Sequence, residues 1–200
     1  RRYCFGNQAQ ICMWNLARFA EALTGLIPDG KILEEAILKE YGDRFTTRYH
    51  AMTLSKLGIT QPQAERDELM LEGLGKCLRL VETDMTLFYR CLANVQVVKV
   101  EVDALSDDEV LRPLRDAWYK PDTISPEHRK TLATWLRGYM KRAAEENLGD
   151  VERKALMNRT NPKYVMRNYL AQLAIEKQEA GDSSVLHELM QVMQKPYDEQ

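Results

Sequence analysis

The chain has 200 residues, 44% of them hydrophobic and 29% charged, with a formal net charge of −2. That composition is globular and can fill a core in one domain or two small ones, and its balanced charge gives no general pull toward nucleic acid or an anionic membrane. The longest apolar run, Ile11 to Trp14, falls far short of the roughly 20 residues that a membrane-spanning helix needs.

The chain opens without methionine, inside the tightly patterned stretch RYCFGNQAQICMWNLARFAEAL (residues 2–23). Chain termini are usually polar and frayed, so further polypeptide is expected before it. Over residues 8–27 the polar positions Asn15, Arg18 and Glu21 form one narrow stripe, and Cys12, Trp14, Leu16, Phe19, Ala20, Leu23, Leu26 and Ile27 cover the rest. A helix apolar on most sides predicts one surrounded by protein, with Cys12 in the core. Truncating Trp14 to alanine is then expected to cost about 3–5 kcal/mol. Pro28-Asp29-Gly30 ends this helix.

A longer helix follows, with Leu33, Ile37, Tyr41, Phe45, Tyr49 and Met52 at steps of four and three, closing near Gly58. Residues 64–82 repeat the pattern with Met70, Leu74, Cys77, Leu78 and Val81. Gly73 and Gly75 mark a weak spot between helices there, and "GLGK" is a poor phosphate loop because no strand precedes it. Met85, Phe88, Leu92 and Val95 continue after Asp84. Residues 95–105, VQVVKVEVDAL, alternate with a period of two on Val98, Val100 and Val102. With no partner strand in view, this stretch reads as an extended connector.

The second half has sharper boundaries. Ser106-Asp107-Asp108-Glu109 is a capping box, and Pro113 limits the short helix it opens. Ser125-Pro126-Glu127 supplies an N-cap, a first-turn proline and an acid at the positive end of the helix dipole. Leu132, Trp135, Leu136, Tyr139 and Ala143 form the apolar face of that helix. Asn161-Pro162 is read as a second cap-and-proline start, for a helix running through Glu179 and closed by Gly181. A last amphipathic helix carries Leu186, Leu189, Met190 and Met193 before Pro196. The fold class is all-α, with seven to nine helices.

The search for chemistry returns little. His50, His128 and His187 lie far apart in sequence, and no HExxH or GxSxG pattern occurs. Glu34-Glu35 and Asp107-Asp108 are explained by helix dipoles and solvation. Arg129, Lys130, Arg137, Lys141 and Arg142 read as a solvated helix face, since no aromatic interleaving supports base stacking. Cys4, Cys12, Cys77 and Cys91 show no CxxC pairing and read as free thiols of a reducing compartment. No catalytic, nucleotide-binding or metal-ligating residue is nominated.

The two ends of the chain carry a stronger signal. The opening stretch resembles the segment GRY-aromatic-x-NQP…WNL-x-R-[LF]-A-x-AL of the selenoprotein O family. The closing stretch NPKYVMRNYLAQLAIEKQEAGDSSVLHELMQVMQKPYDEQ is similar to that family's C-terminal signature, and "LKEYGDRF" and "MTLSKLGI" resemble its long second helix. Arg2, Tyr3, Asn7, Gln8, Trp14, Asn15, Leu16 and Arg18 match the first motif. Asn161, Pro162, Val165, Arg167, Asn168, Ala171 and Gln172 match the second.

The resemblance covers the whole chain and implies the C-terminal portion of a larger protein. Its fold would be the helical lobe of a protein-kinase-like (pseudokinase) fold. Residues 1–94 would be lobe helices, 95–124 a variable connector and 125–200 a helical extension. The implied activity is AMP transfer from ATP to protein Ser, Thr or Tyr hydroxyls, with Mg2+ or Mn2+ bound upstream of this chain. The chain by itself is then expected to be inactive, with the missing nucleotide-binding part and protein substrates as partners, and no nucleic acid or membrane. Family members are cytoplasmic in bacteria and mitochondrial in eukaryotes. The matching residues are expected to be scaffold, with buried Arg167 and Asn168 tying helices together and Arg2, Tyr3 and Asn7 available to shape an acceptor groove. The resemblance also brings a redox role for Cys4 into view. Arg1 and Ala9 depart from the family's glycine and proline at those positions. The competing reading, from another class, is a stand-alone helical interaction module or assembly subunit without catalysis.

Overall fold

The computed structural model describes residues 4–26 and 30–199, the side chains of Phe5, Leu33 and Glu34 excepted. Arg1, Arg2, Tyr3 and the expected break at Pro28-Asp29 lie outside the described residues. Among those described there are nine α-helices: Gln8–Leu23 (α1), Gly30–Lys56 (α2), Ala64–Leu80 (α3), Met85–Leu92 (α4), Asp107–Leu111 (α5), Pro126–Ala144 (α6), Asp150–Thr160 (α7), Asn168–Glu179 (α8) and Ser184–Gln194 (α9). No strand forms among them, and one isolated antiparallel bridge joins Thr83 to Trp118. The all-α class follows directly.

The chain divides into two compact units, Arg1–Thr53 and Leu54–Gln200. Unit 2 holds the core, which draws residues from Leu54 to Met157 and so from all three expected segments. Helix α6 lies at its middle, burying Leu132, Ala133, Leu136, Tyr139, Met140 and Ala143 and packing on α3 and α5. Its start is the one expected: the Ser125 side chain accepts from the His128 N–H, with Pro126 in the first turn. The Ser106–Glu109 capping box is present in full, and α5 passes into a 3-10 turn, Arg112–Ala117, with Pro113 at its start.

Several expectations are corrected. Helix α1 contains no buried residue, with Trp14 44% and Phe19 63% exposed and Cys12 also on the surface. The described residues of unit 1 leave Leu16, Ala20 and Leu23 only half-buried, so α1 is no central helix here. Helix α3 runs unbroken through Gly73 and Gly75. A Cβ at Gly73 would stand 2.9 Å from Cδ1 of Trp135, so the glycine lets α6 approach closely. Along 95–102, Val95, Val97 and Val102 are buried while Val98 is exposed, because the backbone turns at Lys99 (φ 57°). The alternation therefore never makes one face. Asn161 caps the C-terminus of α7, and the next helix starts at Asn168. Its side chain is already engaged elsewhere and is not free to cap a helix of its own.

Candidate functional site

The polar side chains of unit 2 gather in seams between helices. At one seam Asn161, 1% exposed, donates from Nδ2 to the carbonyls of Lys56 and Met157, both at 2.9 Å. Its Oδ1 accepts from Lys56 Nζ at 3.3 Å. Burial pushes the Lys56 ammonium below its ordinary pKa, and that ammonium also stands 4.9 Å from the Tyr89 ring centre. Arg90 Nη1 donates to the carbonyls of Asn158, Asn161 and Tyr197, and its Nη2 pairs with Glu199. One amide and one guanidinium thus tie the last turn of α2, helix α4, the end of α7 and the C-terminal segment together. Pro196 closes the seam by accepting from the backbone N–H groups of Lys163 and Tyr164.

Arg167 joins the same region from the start of α8. Its Nη2 lies 2.7 Å from Oδ2 of Asp84, the N-cap of α4. Burial works to raise the Asp84 pKa, but hydrogen bonds from Arg167 and the Leu87 N–H outweigh it and hold the carboxyl below the usual range.

A second seam is ionic and buried. Arg142, 2% exposed, donates from Nε to Asp67 at 2.8 Å, from Nη1 to Glu146 at 2.7 Å and from Nη2 to the Gln61 carbonyl at 2.7 Å. Glu146 Oε2 accepts from the Thr60 hydroxyl (2.6 Å) and the backbone N–H groups of Thr60 (2.7 Å) and Gln61 (3.0 Å). Asp67 Oδ2 accepts from the Gln63 N–H at 2.7 Å. The loop after α2 is therefore pinned to the last turns of α6. Nearby, fully buried Arg153 donates to the Tyr139 hydroxyl at 2.9 Å and to the Val95 carbonyl, while the Tyr139 hydroxyl donates to Leu57 O at 2.9 Å. Burial pushes the Tyr139 phenol up to about 12.

The basic stripe of α6 is solvated at Lys130 and Lys141, as expected, but the expectation is corrected at half-buried Arg129 and Arg137 and at buried Arg142. Arg129 pairs with Asp108 (3.1 Å), Arg137 with Asp107 (2.6 Å) and Lys141 with Asp103 (2.7 Å), while Arg142 is the buried hub. The acids of the capping box and the turn before it do more than serve a helix dipole; they dock 103–108 along α6.

These arrangements are structural in kind. A catalytic group needs a free valence aimed at a substrate; Asp67, Arg142 and Glu146 spend theirs on protein partners, and the one buried charged atom left without a partner among the described residues, Nε of Arg153, is sealed inside the core. Among the described residues no cluster of His, Cys, Asp or Glu could hold a metal ion, and no helix is long and apolar enough to cross a membrane. Cys77 is inert, pushed up to about 11 by burial. Of the motif residues, Asn161 and Arg167 meet around α4, whereas Asn168 and Gln172 are exposed, contrary to the buried role expected of Asn168. Trp14, Asn15 and Arg18 lie on α1, where Arg18 stands 5.7 Å from the Trp14 ring centre and pairs with Glu21. Asn7 precedes α1 as its N-cap without a side-chain capping bond, Gln8 begins the helix and Pro162 is half-buried. Asp67, Asp84, Arg90, Glu146 and Arg153 escaped the sequence reading. The spacing of Arg142 and Glu146 by four was the one visible signal.

The sequence profile described as "Protein adenylyltransferase SelO" matches residues 1–194. The chain belongs to the SelO family. It is 41% identical over 216 residues to the "Protein nucleotidyltransferase YdiU" of Nitrosospira multiformis, covering 100% of this chain and 38% of that protein. Proteins of the same name from Rhodopirellula baltica and Flavobacterium johnsoniae are 39% and 40% identical, again over 100% of this chain and over 38% and 37% of their own lengths. This SelO-family chain therefore spans well under half the length of the curated relatives it matches.

Proposed function

We propose that the chain is the helical scaffold of a protein adenylyltransferase, the lobe of a kinase-like fold that follows the nucleotide-binding part. The observation that carries this reading is a match over the whole chain that leaves more than half of each relative uncovered. Residues 1–94 would be the lobe helices, 95–124 the variable connector and 125–200 the extension. The motif residues Asn161 and Arg167 act as positioning joints around α4, and Cys4 and Cys12 are the two exposed thiols of the opening motif.

In such a transferase ATP and a divalent metal supply the AMP group and neutralise charge as it passes to an acceptor hydroxyl. The residues described here do not fit that group: no metal-binding cluster occurs among them, and the Gly73–Lys76 stretch lies inside α3 rather than in a loop. What the chain contributes is rigidity, through buried ion pairs whose removal would loosen the lobe. The test is calorimetry with ATP and Mg2+ or Mn2+ on the 200-residue chain and on the same sequence extended through its own reading frame. Binding confined to the extended chain, with AMP appearing on acceptor protein by mass spectrometry, is the expected result. Binding by the 200-residue chain overturns it.

A further inference from the structure

We infer that one face of α2, carrying Tyr41, Phe45, Tyr49 and Met52 with Arg44 and Arg48 on its edge, is the docking surface for the part of a family-length polypeptide outside this stretch. The inference rests on the scaffold reading above and names the surface through which the scaffold would act. At 100° per residue these six positions fall within an arc of about 140°. The Tyr41 and Phe45 rings are 6.0 Å apart at 27°, and the Phe45 and Tyr49 rings 5.6 Å apart at 16°, a stacked ladder along the helix. Phe45, Tyr49 and Met52 are 39%, 55% and 44% exposed, and the six side chains line a groove of about 470 Å³.

Aromatic rings in such a run normally mark a contact surface. Here they are already ordered: each stacks on the next, and the Tyr41 hydroxyl donates to the Ala9 carbonyl at 3.2 Å. A partner docking on ordered rings loses little side-chain entropy. The edge sets the partner's chemistry. Arg44 pairs with Glu40 on the exposed surface, and Arg48 has no ion-pair partner among the described residues. The occupant therefore presents apolar groups to the ladder and carboxylates to the two guanidinium groups. A segment of the same polypeptide meets this surface at the high effective concentration of a tethered ligand, so a modest face suffices. The relatives supply the polypeptide from which such a segment would come, since this chain matches only 38% of the first of them.

Hydroxyl-radical footprinting, read residue by residue by mass spectrometry, tests this on the 200-residue chain and on the extended chain. Tyr49 and Met52 are expected to oxidise about tenfold more slowly in the extended chain. Equal rates in both overturn the inference. Protection that appears in the 200-residue chain as its concentration rises overturns it in favour of a second copy. Reversing both charges (Arg44→Glu with Arg48→Glu) is expected to restore fast oxidation in the extended chain while leaving the melting temperature of the 200-residue chain unchanged. Full protection despite the reversal rules out the carboxylate-bearing occupant. ATP binding by the same extended chain separates the two readings. Binding with α2 still open leaves the transferase reading standing and sinks this one, and protection without binding does the reverse.

Discussion

Units 1 and 2 share the same kind of helical patterning and differ in what covers it. In unit 2 the apolar stripes of α3, α4 and α6 meet one another and bury Leu74, Phe88, Leu136 and Tyr139, and charges such as Arg142 are drawn inside with their partners. In unit 1 the stripe of α1 is as well formed as those of α3 and α6, yet none of the described residues of this unit is buried. Periodicity states that a face is apolar and is silent on which chain covers it. Two helices with equal amphipathic signals can therefore differ in how much of the apolar face is buried.

The largest contrast should come from charge. Arg142→Met leaves Asp67 and Glu146 buried without their cation and is expected to destabilise unit 2 by about 3–5 kcal/mol in urea unfolding. The same change at exposed Arg44 in unit 1 should stay within about 0.5 kcal/mol. Equal effects at the two sites would erase the distinction between the units.

Glycines give the next effect. Gly73→Ala forces a methyl to within 2.9 Å of Trp135, and the overpacking is expected to cost about 1–3 kcal/mol. Gly75, two residues on in the same helix, would place its Cβ no nearer than 3.6 Å, from the end of the Arg79 side chain. Gly75→Ala is expected to stabilise by up to about 1 kcal/mol, through helix propensity. Thermal melts of the two variants should move in opposite directions.

Acid separates the units more gently. Burial works to raise the Asp84 and Glu146 pKa values, but hydrogen bonds from Arg167 and Leu87 in one case, and from Thr60, Arg142 and Gln61 in the other, hold both below the usual range. A carboxyl depressed by folding stabilises above its unfolded pKa of about 4 and loses that contribution as pH falls through its folded value. Unit 2 should accordingly lose melting temperature below about pH 4, and Glu146→Gln should flatten that decline. In this 200-residue chain Trp14→Ala should cost less than the ~3–5 kcal/mol of a fully buried aromatic, because the ring is 44% exposed. A cost at the top of that range in the 200-residue chain would restore α1 as a central helix.

The legible parts of this molecule were the local ones. Ser106 and Ser125 announced their helices because a capping hydroxyl acts within three residues, and Gly58 and Gly181 marked α2 and α8 ends because both adopt positive φ (72° and 83°). Gly73 misled, since its reason for being glycine is Trp135, distant in sequence and packed against it in space. Asn161-Pro162 looked like a helix start for the same reason: the partners that claim its amide, Lys56 and Met157, are set by the fold. The candidate seam was legible in part. Its motif residues Asn161 and Arg167 were visible as a resemblance and Asp84 as a helix boundary, while Arg90, which completes it, carries no local pattern.

The joint at Asn161 has a chemical consequence for the lifetime of the protein. Asparagines age when the backbone nitrogen of the following residue attacks the side-chain amide and closes a five-membered ring. The residue after Asn161 is Pro162, whose nitrogen bears no hydrogen, so that route to aspartate is closed. The amide that holds the ends of α2 and α7 together is thereby shielded from a deamidation that would bury a new negative charge.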